Sequence, residues 1–290
     1  MSGLSLAIKR LLDSEQPLKQ SEFSIPVRKQ LDEFALRTRQ IEVMRDGRST
    51  VYRILNRAGL QSYFQQLHPI DPSELSEDLP DRSRNIGLNR NSKKGRSGHE
   101  AHYLLMKAWD EDVVWKDEQH TLPVATLTRQ FGAAVLQINT DQAWYCNRKL
   151  LLVENQALFD RTDWLESDFD GCLIYYAGVI SDLMLNWFSL LPRCPRLILF
   201  PDYDGVGLNN YVRLAETLHN ETALNFFWML NWQRKLVKFG DPNIWSNTRT
   251  QFENAFSRLE NMGLTEECFM ELANLSQRHG KALEQESIWL

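Results

Sequence analysis

Short apolar runs alternate with amphipathic segments over the second half of the chain. Runs of strand length occupy 150–153, 172–176, 197–200 and 224–230, and segments with helical spacing occupy 180–191 and 208–219. This alternation predicts a parallel, Rossmann-like α/β sheet with helices on both faces. Helical spacing at 249–262 and 265–275 predicts a helical tail. We therefore assign 148–290 to one α/β domain that ends in this tail.

The pattern over residues 1–67 predicts a different kind of unit. Two amphipathic segments, 4–12 and 25–36, precede two β-prone runs that meet at Asp46-Gly47, a strong hairpin signal. Helices followed by a basic-tipped hairpin favour a mainly α winged-helix domain that binds DNA. Five arginines are expected on or near the wing: Arg37, Arg39, Arg45, Arg48 and Arg53. The alternative is a solvated hairpin in a small packing domain.

Residues 68–98 are poor in apolar side chains and change from acidic to basic along their length. We expect a flexible linker in which Lys93, Lys94 and Arg96 contact phosphate, or else a disordered tether. A connecting α/β region, 99–147, follows. It contains predicted helices at 99–110 and 124–131 and a β-like run at 134–139.

Composition limits the possible classes of protein. The 290 residues, with 43% hydrophobic and 24% charged side chains, are typical of a soluble globular protein with two domains. A net charge of −5 argues against a uniformly basic surface but allows a local basic face. No apolar run approaches the ~20 residues that span a bilayer, and no signal-peptide pattern begins the chain. The four cysteines have no metal-binding spacing. We expect a cytoplasmic protein with reduced thiols and no membrane contact.

Candidate chemistry lies where two of the apolar runs end. The run at 197–200 leads into Asp202 and Asp204, and the run at 150–153 leads into Glu154. Parallel strands carry their ligands at their carboxyl ends, so these three acids should form one cluster. Oxygen-only ligands favour Mg²⁺ or Mn²⁺. Three glycines are expected to permit tight turns and the close approach of a phosphate: Gly178, Gly205 and Gly207.

Four ordered stretches together resemble a known family. They are Glu154-Asn155, Ile174 to Gly178, Asp202-Tyr-Asp-Gly205 and Ala282 to Ile288. Glu and Asp-x-Asp at successive strand ends resemble Toprim domains, and the whole set resembles the JetD-like nuclease subunits of Wadjet plasmid-defence systems, which belong with the topoisomerase VI A-subunit group. The resemblance implies a DNA endonuclease in which the three acids bind magnesium and catalyse cleavage, with Glu286 assisting a second metal. It also implies a homodimer that acts on double-stranded DNA with an SMC-type ATPase complex.

Several alternatives stay open at this point. Asp202 and Asp204 are also the residues expected in a turn and helix cap, and Glu286 also suits a solvated helix face. A topoisomerase VI-like transesterase would use a tyrosine as its nucleophile, for which Tyr52, Tyr63 and Tyr103 are available. A non-catalytic DNA-binding or assembly subunit and a Toprim-type ribonuclease are further alternatives.

Overall fold

The chain divides into two compact units, residues 1–99 and 100–290. The computed structural model describes residues 3–67, 70, 75–76, 78–95, 102–140 and 142–290. Within these residues it contains eleven α-helices and twelve strands, so the fold class is α/β. Arg96, one of the residues predicted to contact phosphate, lies outside the described residues.

The first unit combines helices with a small antiparallel sheet. Its elements are α1 (Gly3–Asp13), β1 (Leu18–Lys19), α2 (Ile25–Thr38), β2 (Ile41–Asp46), β3 (Ser49–Ile54), α3 (Arg57–Leu67) and α4 (Asp81–Asn89). The strand order is β1-β3-β2. Buried apolar side chains from α1, α2 and the hairpin form its core, including Ile8, Leu31, Phe34 and Tyr52.

Local chemistry explains the elements that the sequence predicts correctly in this unit. Pro26 lies in the first turn of α2, where its missing N–H is not needed. Gly47 has a φ of 58°, which the tight turn between β2 and β3 requires. Helix α3 was not predicted, although Asn56 caps it by accepting from the Gly59 N–H at 2.9 Å. Helix α4 shows that the prediction of an irregular loop is wrong for residues 81–89.

The strands of the second unit form a six-stranded and a three-stranded sheet. They are β4 (His102–Lys107), β5 (Val114–Lys116), β6 (Thr121–Pro123), β7 (Ala134–Ile138), β8 (Tyr145–Cys146), β9 (Leu150–Val153), β10 (Cys172–Tyr175), β11 (Arg196–Phe200) and β12 (Ala223–Phe226). The larger sheet has the order β12-β11-β9-β10-β4-β7, and the smaller has the order β6-β5-β8.

Helices follow most strands of the larger sheet, and three close the chain. They are α5 (Val124–Phe131), α6 (Gln156–Asp160), α7 (Asp182–Leu190), α8 (Gly205–Thr217), α9 (Trp232–Phe239), α10 (Pro242–Met262) and α11 (Glu267–His279). A 3-10 helix, Gln285–Trp289, ends the chain. A continuous buried core joins the sheets to these helices and includes Trp187, Phe200 and Phe252.

The larger sheet is parallel over β12, β11, β9 and β10, and β4 pairs antiparallel with β10 and with β7. The prediction of a helix at 99–110 is wrong, because β4 covers His102–Lys107. Leu104, Met106 and Ala108 are buried at every second position, the spacing of a strand with one covered face. The order of the parallel strands changes direction at β9. The next strand along the chain, β10, lies on one side of β9, and the following strand, β11, lies on the other.

The four cysteines of the second unit are free, and three of them are buried. Cys146, Cys172 and Cys194 are buried free thiols, and burial raises the pKa of Cys146 to about 11. No helix in the described part of the chain has the length and apolar character needed to span a bilayer.

Candidate active site

Neighbouring strands bring Glu154 and Asp202 to one edge of the larger sheet. Strands β9 and β11 pair in parallel, with Val153 opposite Phe200, so both acids follow the carboxyl ends of adjacent strands. The Asp202 backbone N–H donates to Glu154 Oε2 at 3.4 Å. The pair lies where the strand order reverses, the crevice in which open α/β sheets bind ligands.

Asp204 lies at the start of α8 and is buried. Its Oδ1 accepts from the Gly207 N–H at 2.8 Å, so the capping role considered for this residue is observed. Close packing explains why glycine occupies positions 205 and 207. A side chain on Gly205 would collide with the backbone of α10 at Thr248, and one on Gly207 would collide with the Asp202 carbonyl.

The C-terminal segment closes on the same edge. Tyr203 and Leu283 exchange backbone hydrogen bonds, with 2.7 Å from Tyr203 N to Leu283 O. Two residues further on, the Gln285 N–H donates to Asp202 Oδ1 at 2.8 Å. Glu286 follows, and its Oε2 is buried without a hydrogen-bond partner. The segment thus adds a fourth carboxylate to the three from β9 and β11.

Gln285 joins the strand ends through its side chain as well as its backbone. The side chain is fully buried; Oε1 accepts from the Asn155 N–H at 3.1 Å, and Nε2 donates to the Phe200 carbonyl. This residue therefore ties the C-terminal segment to the ends of both β9 and β11. Sequence analysis assigned no role to it, because its partners lie far away along the chain.

The loop after β10 supplies a tyrosine to the cluster. The Tyr176 hydroxyl donates to Glu154 Oε2 at 3.0 Å. Ala177 and Gly178 follow with φ values of 58° and 79°, and Asn210 in α8 holds the loop by donating to the Gly178 carbonyl at 2.9 Å. Gly178 is thus required by backbone conformation. Tyr176 lies within one of the stretches that carry the family resemblance, although no role was predicted for it.

Burial and mutual repulsion dominate the electrostatics of the cluster. Burial raises the pKa of Glu154 to about 7, opposed by the Tyr176 hydrogen bond and reinforced by the charge of Asp204. Burial also raises the pKa of Asp202 to about 8, and the charge of Glu154 adds to that effect. The pKa of Asp204 is raised by burial too. The acids therefore resist ionisation in this arrangement. Binding of a cation or of protons would relieve the repulsion between their charges.

The four acids have no basic partner within the described residues: no Lys, Arg or His of that part of the chain forms an ion pair with them. Nor do the side chains, as placed in the described ranges, form a group of three or more ligating residues arranged to hold a metal ion. The donor set nevertheless fits a hard divalent cation. All four donors are carboxylates, and one buried oxygen of Glu286 has no partner.

The residues predicted to bind DNA occupy exposed positions of the first unit. Arg45 and Arg48 lie at the tip of the β2–β3 hairpin. Two others are engaged with acids, since Arg37 pairs with Glu33 and Arg53 with Glu42. The remaining exposed residues are Arg39 at the end of α2 and, in the turn after α4, Lys93 and Lys94.

The three tyrosines considered as nucleophiles lie in different elements. Tyr52 is buried, its hydroxyl donates to Asp32 at 2.8 Å, and burial raises its pKa to about 12. Tyr63 packs on Phe34 in the first unit. Tyr103 lies on β4 of the second unit, outside residues 1–67, for which a winged-helix domain is predicted. Tyr52 is therefore unsuited to attack a phosphate.

Comparisons with known proteins leave the family undecided. No protein-family model matches the chain, and no curated protein matches it. Any function assigned to the chain therefore depends on its residues and on the geometry of the four-carboxylate edge.

Proposed function

We propose that the protein is a magnesium-dependent endonuclease of the Toprim type that cleaves double-stranded DNA. One observation carries the proposal. The carboxyl edge of the mainly parallel sheet gathers Glu154, Asp202 and Asp204 with Glu286 from the C-terminal segment, and none of them has a basic ion-pair partner among the described residues. Such a charge density is unfavourable unless a cation or protons bind there, and four carboxylates suit a hard divalent cation.

Glu154, Asp202, Asp204 and Glu286 are the residues that would hold the metal. Bound Mg²⁺ would offset charge on a phosphodiester and on its leaving oxygen. Without metal the pKa of Glu154 is raised to about 7, so binding of Mg²⁺ would displace a proton from its carboxyl group near neutral pH. Tyr176 positions that group by donating to one of its oxygens.

The first unit is proposed to be a winged-helix domain that holds the duplex by its phosphates. Support comes from its three-stranded sheet, its helices and the exposed Arg45 and Arg48 at the hairpin tip. Contacts of this kind bind with little sequence preference and depend strongly on salt. The resemblance of the sequence to Wadjet nuclease subunits further suggests a homodimer and an SMC-type ATPase partner.

The test is cleavage of closed circular plasmid with Mg²⁺ or Mn²⁺ at low salt. We expect the wild type to nick or linearise the plasmid, and Glu154→Gln and Asp202→Asn to lose activity by a factor of 10² or more, as an order of magnitude for groups that stabilise transition-state charge. Glu260→Gln is the matched control, because Glu260 is an exposed residue near the end of α10.

Three results would contradict the proposal. Equal cleavage by the wild type and both variants would place the activity elsewhere. A covalent protein–DNA adduct trapped by denaturant would favour the tyrosine transesterase instead, and preference for RNA over DNA would favour a ribonuclease. If the wild type is silent alone, the same assay with the neighbouring proteins of its operon tests whether a partner must license it.

A further inference from the structure

Helix α9 lies directly beside the C-terminal segment that reaches the carboxylate cluster. The Lys235 ammonium donates to the Ile288 carbonyl at 3.1 Å, and the Lys281 ammonium donates to the Val237 carbonyl at 2.7 Å. Lys281 and Gln285 are four residues apart, so their Cα atoms are within about 14 Å of one another. The C-terminal segment thus links α9, at Val237, to Asp202, which Gln285 contacts.

That outer face is basic and its charges are unpaired. Arg234 and Lys238 are exposed one turn apart on α9, and α11 ends nearby in exposed Arg278 and His279. No ion pair in the described part of the chain involves any of these four residues. Glu271 of α11 is bonded to α9, since its carboxylate accepts from the Gln233 side chain at 2.9 Å.

Helix stability alone does not account for this arrangement. Basic residues in the last turn of a helix interact favourably with the helix dipole. This interaction accounts for the positions of Lys238, Arg278 and His279. Arg234 is in the first turn of α9, where a positive charge opposes the dipole. Arg234 and Lys238 are also like charges at i and i+4, a spacing that costs about 0.2–0.5 kcal/mol.

We propose that this surface, defined by Arg234, Lys238, Arg278 and His279, binds the phosphate backbone of the nucleic acid beside the site of cleavage. Each DNA strand carries one phosphate per ~3.4 Å of helix axis, so a surface with several exposed cations can contact more than one phosphate. The surface would hold the strand on one side of the scissile phosphate, and it would do so through charge without reading sequence. The inference rests on the proposed function for the location of the scissile phosphate.

The test compares two triple variants of the full chain for binding to a short fluorescent DNA duplex. The surface variant is Arg234→Gln with Lys238→Gln and Arg278→Gln. The control variant is Lys116→Gln with Arg129→Gln and Lys149→Gln, which removes the same number of positive charges elsewhere. Lys149 directly precedes β9 and lies at the opposite edge of the sheet from the acids, and two of the control residues are already ion-paired.

Binding is measured by anisotropy over a range of salt in EDTA, so that no cleavage occurs. We expect the surface variant to reduce the slope of log Kd against log salt by about 2 to 3, and the control variant to leave it within about 0.5 of the wild type. The same titration with an RNA duplex shows whether the surface binds the phosphates of DNA or those of RNA. Removing exposed like charges should leave the Tm unchanged or slightly higher.

Equal slopes for all three proteins, or equal losses for both variants, would overturn the inference. Its failure is separable from failure of the nuclease proposal. If the wild type cleaves plasmid and the surface variant binds DNA as the wild type does, only the proposed phosphate-binding surface is refuted. A slope lost only in the surface variant, with no cleavage under any condition, would support the surface and refute the nuclease.

Discussion

At the scale of single residues, the central feature is a set of carboxylates that burial makes hard to ionise. Glu154 and Asp202 have pKa values raised to about 7 and about 8. Their own hydrogen bonds come from Tyr176 and from the backbone N–H groups of Asp202 and Gln285. These donors favour the charged forms but do not outweigh burial and mutual repulsion.

Stability without metal should therefore fall as pH rises. Both folded pKa values lie above the usual 4.5 and 3.8, so between about pH 4 and 8 the folded protein retains protons that the unfolded chain releases. Stability from these groups is complete below about pH 4 and is lost as pH rises through 7 to 8. In EDTA, Asp202→Asn should raise the Tm at pH 8 and flatten its pH dependence, whereas the exposed Asp168→Asn should follow the wild type.

Divalent metal should reverse that loss. Because Mg²⁺ competes with protons for the carboxylates, it should raise the Tm of the wild type more at pH 8 than at pH 5. Calorimetric scans with and without Mg²⁺ measure both effects together. A wild-type Tm that is independent of pH and of Mg²⁺ would contradict the electrostatic account.

Glu286 offers a sharper residue-level test because one of its oxygens is buried and unpartnered. We expect Glu286→Gln to weaken Mn²⁺ binding by about 10–100-fold, the range seen when groups that support a metal are removed. Isothermal titration calorimetry measures the affinity. Glu260→Gln is the control, since that side chain is exposed on α10, and it should change the affinity by less than about twofold. Equal affinities for both variants would remove Glu286 from the site.

At the scale of elements, the C-terminal segment crosses the carboxyl ends of β9 and β11 and is hydrogen-bonded to both. Ala282 pairs with Asp241, Leu283 pairs with Tyr203, and Gln285 bonds to the ends of both strands. The positions of the acids thus depend on a segment that arrives from the far end of the chain.

Replacing Gln285 should affect both stability and metal binding. Gln285→Met keeps the approximate volume but leaves the Asn155 N–H and the Phe200 carbonyl unpaired, at a cost of about 2–4 kcal/mol. Urea denaturation measures that loss, and Mn²⁺ affinity should fall as well, because Asp202 loses a fixed partner. Gln277→Met, at an exposed position of α11, should cost less than about 0.5 kcal/mol. Normal Mn²⁺ affinity in Gln285→Met would limit the residue to a packing role.

The sequence predicts some elements because their signals are local. Apolar runs ending in Glu154 and Asp202 place both acids at strand ends, and Asp46-Gly47 specifies its hairpin. The run from His102 to Lys107 is compatible with helix and strand, and pairing with β10 and β7 decides it. The start of α10 was missed although Asp241 followed by Pro242 is a cap signal. Gln285 has no local signal, since its partner Asn155 is 130 residues away.

At the scale of the whole molecule, a net charge of −5 coexists with concentrated basic regions. Exposed arginines mark the hairpin of the first unit, and unpaired basic residues mark α9 and the end of α11 in the second. The acids that lower the total charge include those of the proposed metal site. Net charge is therefore a poor guide to whether this chain binds nucleic acid.

The hairpin of the first unit should contribute to duplex binding without affecting the metal site. We expect Arg45→Gln with Arg48→Gln to reduce the slope of log Kd against log salt by about 2 in the anisotropy assay, because each arginine would contact one phosphate. Arg37→Gln with Arg53→Gln, at positions engaged by Glu33 and Glu42, should have a smaller effect. Binding that is unchanged in the hairpin variant would refute the wing assignment.

The most direct test of the central claim is an anomalous difference map from crystals of the full chain soaked in Mn²⁺. The account predicts a peak bounded by Glu154, Asp202 and Asp204, with Glu286 beside it, and no such peak in crystals of Asp202→Asn. Mn²⁺ that binds only elsewhere, or a wild-type map without a peak among these acids at saturating Mn²⁺, would contradict it.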